Sequence, residues 1–83
     1  MPRKKILVVE DDRALSEVLS YNLDKAGFEV IVSFDGRDGL HQAQTKQPDI
    51  ILLDVMLPIM DGIEVCRRLR ASQDTEAFNI VLL

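Results

Sequence analysis

The stretch Asp49-Ile50-Ile51-Leu52-Leu53-Asp54-Val55-Met56-Leu57-Pro58-Ile59-Met60-Asp61-Gly62 decides how this chain folds. Its apolar run, Ile50 to Leu53, is continuous and is closed on both sides by an aspartate. A run without in-and-out alternation suits a strand covered on both faces, the usual condition of a strand in a parallel sheet. Asp54 follows that strand at once. Pro58 then removes an amide donor and fixes the turn. Gly62 permits a close approach or an unusual dihedral near the start of the next helix.

Working outward, three more short runs read the same way: Ile6-Leu7-Val8-Val9, Val30-Ile31-Val32 and Ile80-Val81-Leu82-Leu83. Helical spacing fills the gaps between them. Leu15, Val18, Leu19, Leu23 and Ala26 recur at steps of three and four, with Asp11 or Asp12 as the cap and Gly27 as the stop. A second helix is predicted from Asp35 to Lys46, with Leu40 and Ala43 inward and Pro48 after its end. A third is predicted from Gly62 to Ala71, with Ile63, Cys66 and Leu69 on one side and Arg67, Arg68 and Arg70 mostly in water. His41 reads as a solvated surface residue, Cys66 as a small apolar group, and Lys4 and Lys5 as solubilising residues ahead of the first strand. The order β-α-β-α-β-α-β argues for a parallel α/β sheet with right-handed crossovers. The chain ends on an apolar strand with no helix after it, which leaves an edge open.

Composition narrows the class. The 83 residues make one small domain or part of one, 47% apolar, with 10 basic and 14 acidic side chains and a net charge of −4. A domain of this size buries only about 60% of its unfolded surface, so its stability margin is thin. No apolar run approaches the roughly 20 residues that cross a membrane. The start, Met1-Pro2-Arg3-Lys4-Lys5 followed by Ile6 to Val9, has the look of a signal peptide, but Glu10, Asp11 and Asp12 cut the apolar run too early. The single cysteine can form neither an internal disulfide nor a zinc cluster, which points to a reducing, cytoplasmic setting. The negative charge, with no basic stripe to offset it, argues against direct contact with nucleic acid.

The acids fall at matching places. Glu10-Asp11-Asp12 follows the first strand and Asp54 follows the third. Open parallel sheets bind ligands beyond the carboxyl ends of strands whose helices go to opposite faces. If strands one and three are neighbours, both acid groups meet in that crevice. Clustered carboxylates repel one another unless they share a cation, and hard oxygen ligands suit Mg²⁺ or Mn²⁺ rather than zinc. One acid after a strand is more often a helix cap, and Asp12 fits that role. Acids at the ends of two buried strands favour a metal site with Asp54 at its centre.

With Lys5 to Asp12 and Asp49 to Gly62 in view, the chain resembles the receiver domains of two-component response regulators along its whole length. The spacing of Asp54, Pro58 and Gly62 is that family's loop pattern, which favours a functional loop over ordinary punctuation. The resemblance implies a flavodoxin-like, doubly wound parallel sheet of strand order 2-1-3-4. It also implies that Asp54 accepts a phosphoryl group from a histidine kinase. Mg²⁺ would be held by Asp11, Asp54, the backbone carbonyl of Met56, and water near Glu10. Glu10 stands where many relatives have an aspartate. Met56, Leu57 and Met60 are expected to pack, with only the main chain of Met56 in the site.

Receiver domains continue past their fourth strand to a serine or threonine, a lysine and an aromatic switch residue, whereas this sequence stops at Leu83. Residues 1–83 therefore correspond to the N-terminal two thirds of such a domain, lacking the fifth strand and the last two helices. The expected consequences are impaired phosphotransfer and a homodimer through the last strand and the uncovered helix face. Two other classes compete. An aspartate-dependent phosphohydrolase usually wants a second aspartate two residues after the nucleophile, and Met56 stands there. An inert or self-associating fragment would keep the fold without the chemistry. A nucleotide-binding loop is excluded, because Glu10-Asp11-Asp12-Arg13 contains no glycine.

Overall fold

A computed structural model describes residues 3–83. Met1 and Pro2, which open the leader-like start, lie outside the described residues. The elements are β1 (Lys5–Val9), α1 (Arg13–Lys25), β2 (Glu29–Ser33), α2 (Gly36–Lys46), β3 (Ile50–Leu53), α3 (Gly62–Arg70) and β4 (Asn79–Leu82). All strand pairs are parallel, as the element order predicts, and the sheet order is β2-β1-β3-β4, as the family resemblance implies. Lys5 belongs to β1 rather than preceding it. Its N–H meets the Asp49 carboxylate at 2.7 Å, which draws the strand back by one residue.

The two faces of the sheet are buried to different extents. Side chains alternate across a strand. Leu7, Val9, Ile51 and Leu53 point to one face and pack with Ala43 of α2 and Val65 and Leu69 of α3. Ile31, Leu40, Cys66, Phe78 and Ile80 join this core from its margin. The opposite face carries α1, which packs against β1 and β2. Along the row Val8, Leu52, Val81 the cover thins: Val8 is fully buried, Leu52 is half-buried and Val81 is 47% exposed.

Each helix starts on an aspartate cap. The side chains of Asp12, Asp35 and Asp61 accept the N–H groups of Leu15, Asp38 and Glu64 at 3.2, 2.7 and 2.9 Å. Helix α1 ends as predicted, with Gly27 at φ +102°. Gly27 donates to the Asp24 carbonyl at 3.0 Å and Phe28 donates to the Leu23 carbonyl at 3.1 Å, which satisfies two carbonyls the helix leaves open. The predicted α2 agrees with the structure, except that Asp35 is its cap and not its first residue.

Two expectations need correcting. On α1, Leu15 and Val18 are 43% and 57% exposed rather than inward. The helix sits over β1 and β2, so its side toward β3 is bare. On α3, the inner stripe is Gly62, Val65 and Leu69, and Ile63 is 45% exposed. The tight seat of Gly62, described below, sets this rotation. Arg67 and Arg68 are exposed as expected, paired with Glu64 at 2.7 and 2.9 Å. Arg70 is exposed as expected too, and it donates to the carbonyls of Glu76 and Phe78 at 2.6 and 2.7 Å, which holds the approach to β4.

Buried Thr75 works with Arg70. Its hydroxyl donates to the Leu69 carbonyl at 2.5 Å, closing the end of α3. Thr75→Val removes that donor at nearly constant shape. It is expected to cost about 1–3 kcal/mol, read as a lower urea midpoint at unchanged slope.

Candidate metal and phosphoacceptor site

The acids are placed by the main-chain ladder. Glu10 donates its N–H to the Ser33 carbonyl and Asp54 donates to the Val9 carbonyl, both at 3.0 Å, so each pairing runs one residue past its strand. The carboxyl ends of neighbouring β1 and β3 therefore carry Glu10, Asp11 and Asp54 on one rim. One carboxylate oxygen from each lies within 4.8 Å of the others. Asp11 and Asp54 thus converge as the sequence predicts. Asp12 stays outside as the α1 cap, which settles the choice between Asp11 and Asp12.

The electrostatics of this corner are costly. Glu10 is only 4% exposed. Burial raises its pKa above the ordinary carboxylate value, and the negative charges of Asp54 and Asp11 push the same way. A hydrogen bond from the Asp12 N–H at 3.1 Å opposes the shift without cancelling it. Among the described residues, no lysine or arginine forms an ion pair with the three acids. The nearby Arg13 is turned away, its guanidinium 4.0 Å above the centre of the Phe34 ring. Three hard oxygen donors, one of them buried and short of compensating charge, fit a small divalent cation.

The loop after β3 is shaped around Asp54. Its carboxylate accepts the Met56 N–H at 3.1 Å. Gly62 donates to the Val55 carbonyl at 2.9 Å, and a Cβ at Gly62 would stand 2.2 Å from the Asp54 carbonyl oxygen. Gly62 is therefore needed for close approach and not for a left-handed dihedral. Leu57 and Met60 pack against the core as expected, whereas the Met56 side chain is 82% exposed. The N–H of Met56 is tied to Asp54, and that leaves its side chain pointing off the protein. Pro58 is exposed and serves through its carbonyl, which accepts the Met60 N–H at 2.8 Å.

The other residues singled out by the sequence lie elsewhere. His41 is exposed on α2, in a groove of about 350 Å³ shared with Asp35, Arg37, Asp38 and Ile59. Cys66 is half-buried on α3. Gly36 belongs to the same constellation: its N–H meets the Pro58 carbonyl at 3.4 Å, against the far side of the loop. The Asp35-Gly36 pair after a strand was the available signal.

Sheet order, face assignment and acid corner together are those of a signalling receiver. The family model described as the response regulator receiver domain matches residues 6–83, and the chain belongs to that family. It is 50% identical over 80 residues to the alkaline phosphatase synthesis transcriptional regulatory protein PhoP of Bacillus subtilis (strain 168). That alignment takes in 96% of this chain and 32% of the regulator, so the chain spans about a third of that relative's length. Among solved structures, it superposes on a response regulator from Chloroflexus aurantiacus with a TM-score of 0.93 at 33% identity, covering 98% of this chain and 66% of that one. A receiver domain of a sensor histidine kinase from Pseudomonas aeruginosa, solved with a magnesium ion in its active-site cleft, gives 0.93 at 30% identity, covering 98% and 66%. No helix among the described residues is long and apolar enough to cross a membrane.

The raised pKa of Glu10 has a defined sign in stability. The folded chain holds this proton more tightly than the unfolded chain, so metal-free stability falls as pH rises from the ordinary value of 4.5 through the raised one. Glu10→Gln keeps an acceptor for the Asp12 N–H and removes the charge. In EDTA it is expected to be more stable than the parent near neutral pH, with the gap closing below about pH 4 in urea titrations.

Proposed function

We propose that this receiver is a phosphoacceptor: Asp54 takes a phosphoryl group from the phosphohistidine of a histidine kinase. The cation would be Mg²⁺ or Mn²⁺, which Asp11, Asp54 and the Met56 backbone carbonyl would hold, with Glu10 reaching it through water. The observation that carries this reading is the convergence of Glu10, Asp11 and Asp54 within 4.8 Å at the ends of β1 and β3. The magnesium in the cleft of the Pseudomonas receiver supports the choice of ion.

The chemistry follows from charge. A carboxylate oxygen of Asp54 attacks phosphorus, a P–O bond forms, the P–N bond to the kinase imidazole breaks, and the imidazole leaves with its electron pair. Negative charge approaches negative charge throughout. The bound cation would supply the neutralisation this approach needs. The chain's own residues do the positioning. The β1–β3 ladder fixes Asp54 beside Asp11, and the seat of Gly62 holds the loop so that the carboxylate stays half-exposed to an incoming donor. Met56, standing two residues after the acceptor, brings no acid to activate water, which argues for a phosphoacceptor over a phosphohydrolase. A receiver is a signalling module rather than a turnover enzyme, and we place this one in the cytoplasm with its kinase.

The reading extends to self-association. Val81, Leu82 and Leu83 are 47%, 43% and 53% exposed along the free edge of β4, and Leu15 and Val18 are bare on α1. Light scattering after size exclusion is expected to show a dimer as concentration rises; a monomer throughout removes this part.

For the site itself, Mg²⁺ at ten times its dissociation constant should stabilise the chain by about 1.4 kcal/mol, seen as a higher melting temperature. Asp11→Asn and Asp54→Asn should abolish the gain. With phosphorylated kinase or acetyl phosphate, intact-mass spectrometry should show one added phosphoryl group, absent in Asp54→Asn. A group still added to that variant, or turnover of a phosphate ester, would overturn the reading.

A further inference from the structure

The loop between β3 and α3 is gripped at two points. Near the acids, Asp54 holds the Met56 N–H and Gly62 holds the Val55 carbonyl. Farther out, the Pro58 carbonyl takes two donors, the Met60 N–H at 2.8 Å and the Gly36 N–H at 3.4 Å. The first bond closes a three-residue turn around Ile59, whose φ is +71°. A β-branched residue in that region is strained, and a turn of this kind is rare. Burial of the side chain does not hold it there, because Ile59 is 69% exposed.

Such strain persists only where the surroundings over-determine the backbone. Here the surroundings are the start of α2. A Cβ at Gly36 would lie 1.6 Å from the Met60 carbonyl oxygen, so the loop rests directly on main chain. Gly36 is the first residue of α2, and its N–H has no acceptor inside the helix; Pro58 supplies one. At 3.4 Å that bond is the longest in the loop and the first to give.

We propose that this loop is a strained latch joining the acid corner to the N-terminus of α2, and that a divalent cation at Asp54 releases it. The inference rests on the metal site proposed above. A cation held through Asp54 Oδ1, the oxygen that accepts the Met56 N–H, would compete with that N–H and turn the peptides from Val55 to Leu57. Pro58 follows and withdraws from Gly36. Ile59 is then free to relax to negative φ, and that relaxation favours the released state. The two states differ in how they treat the cation, which is what a ligand-driven shift requires. The start of α2 becomes a second place, apart from α3, where occupancy of the acids is felt.

The test is a Mg²⁺ titration of the ¹⁵N-labelled chain, following amide shifts and solvent exchange. The Gly36 amide is expected to shift with the same midpoint as those of Val55 and Met56, and to exchange several-fold faster at saturation. Shifts at Val55 and Met56 with Gly36 unmoved would overturn the latch and leave the metal site standing. No shift at any of the three would overturn both. In Ile59→Gly the positive φ carries no strain. The exchange response at Gly36 is then expected to fall below half that of the parent while the Val55 shift is kept. An undiminished response would show that strain does not drive the release.

Discussion

The parallel pairing of β1 with β3 is the constraint on which the rest depends. It puts Val9 opposite Leu53 and therefore brings the next residues, Glu10 and Asp54, to one rim. Carboxylates at this distance repel, and one of them is buried. They stay together because each is fixed by main-chain bonds whose loss would unravel a strand end. The favourable interactions of the sheet thus hold an unfavourable cluster in place, and the cluster's unmet demand for positive charge is what suits it to a cation.

The core explains why the sheet can bear this. One face packs β1, β3, α2 and α3 into a continuous apolar cluster in which Leu7, Val9, Leu53 and Leu69 are fully buried. Burial of such side chains contributes roughly 1.5–3 kcal/mol each relative to exposure. The opposite face is guarded by one helix and thins toward β4. The site sits at the carboxyl end of the sheet, directly beyond β1 and β3. The loop that carries Asp54 borrows rigidity from both helices of the packed face, through Gly62 at α3 and Gly36 at α2.

Much of this was legible from residue order. Four apolar runs without alternation marked buried strands, and helical spacing between them forced parallel crossovers. Acids directly after two strands marked the crevice, because in such sheets a residue's place along the strand tells which end it faces. Asp54 with Gly62 marked the loop. Less legible were the faces. Leu15, Val18 and Ile63 carry the right spacing for an inner stripe and are exposed, because spacing fixes which residues share a helix side but not where that side is aimed. Met56 is a similar case. Its side chain goes where the main-chain bond to Asp54 sends it.

By itself, then, the order of residues determined the parallel α/β architecture, the stops of α1 and α2, and the placing of acids directly after two strands. All of these follow from local periodicity and from the short reach of neighbouring groups. Tertiary structure alone decided the rotation of α1 and α3, the burial that lifts the pKa of Glu10, and the seat of the Asp54 loop on Gly62 and Gly36. Those depend on distances between backbones far apart in the chain, and such distances are set by packing the whole, not by any segment of it.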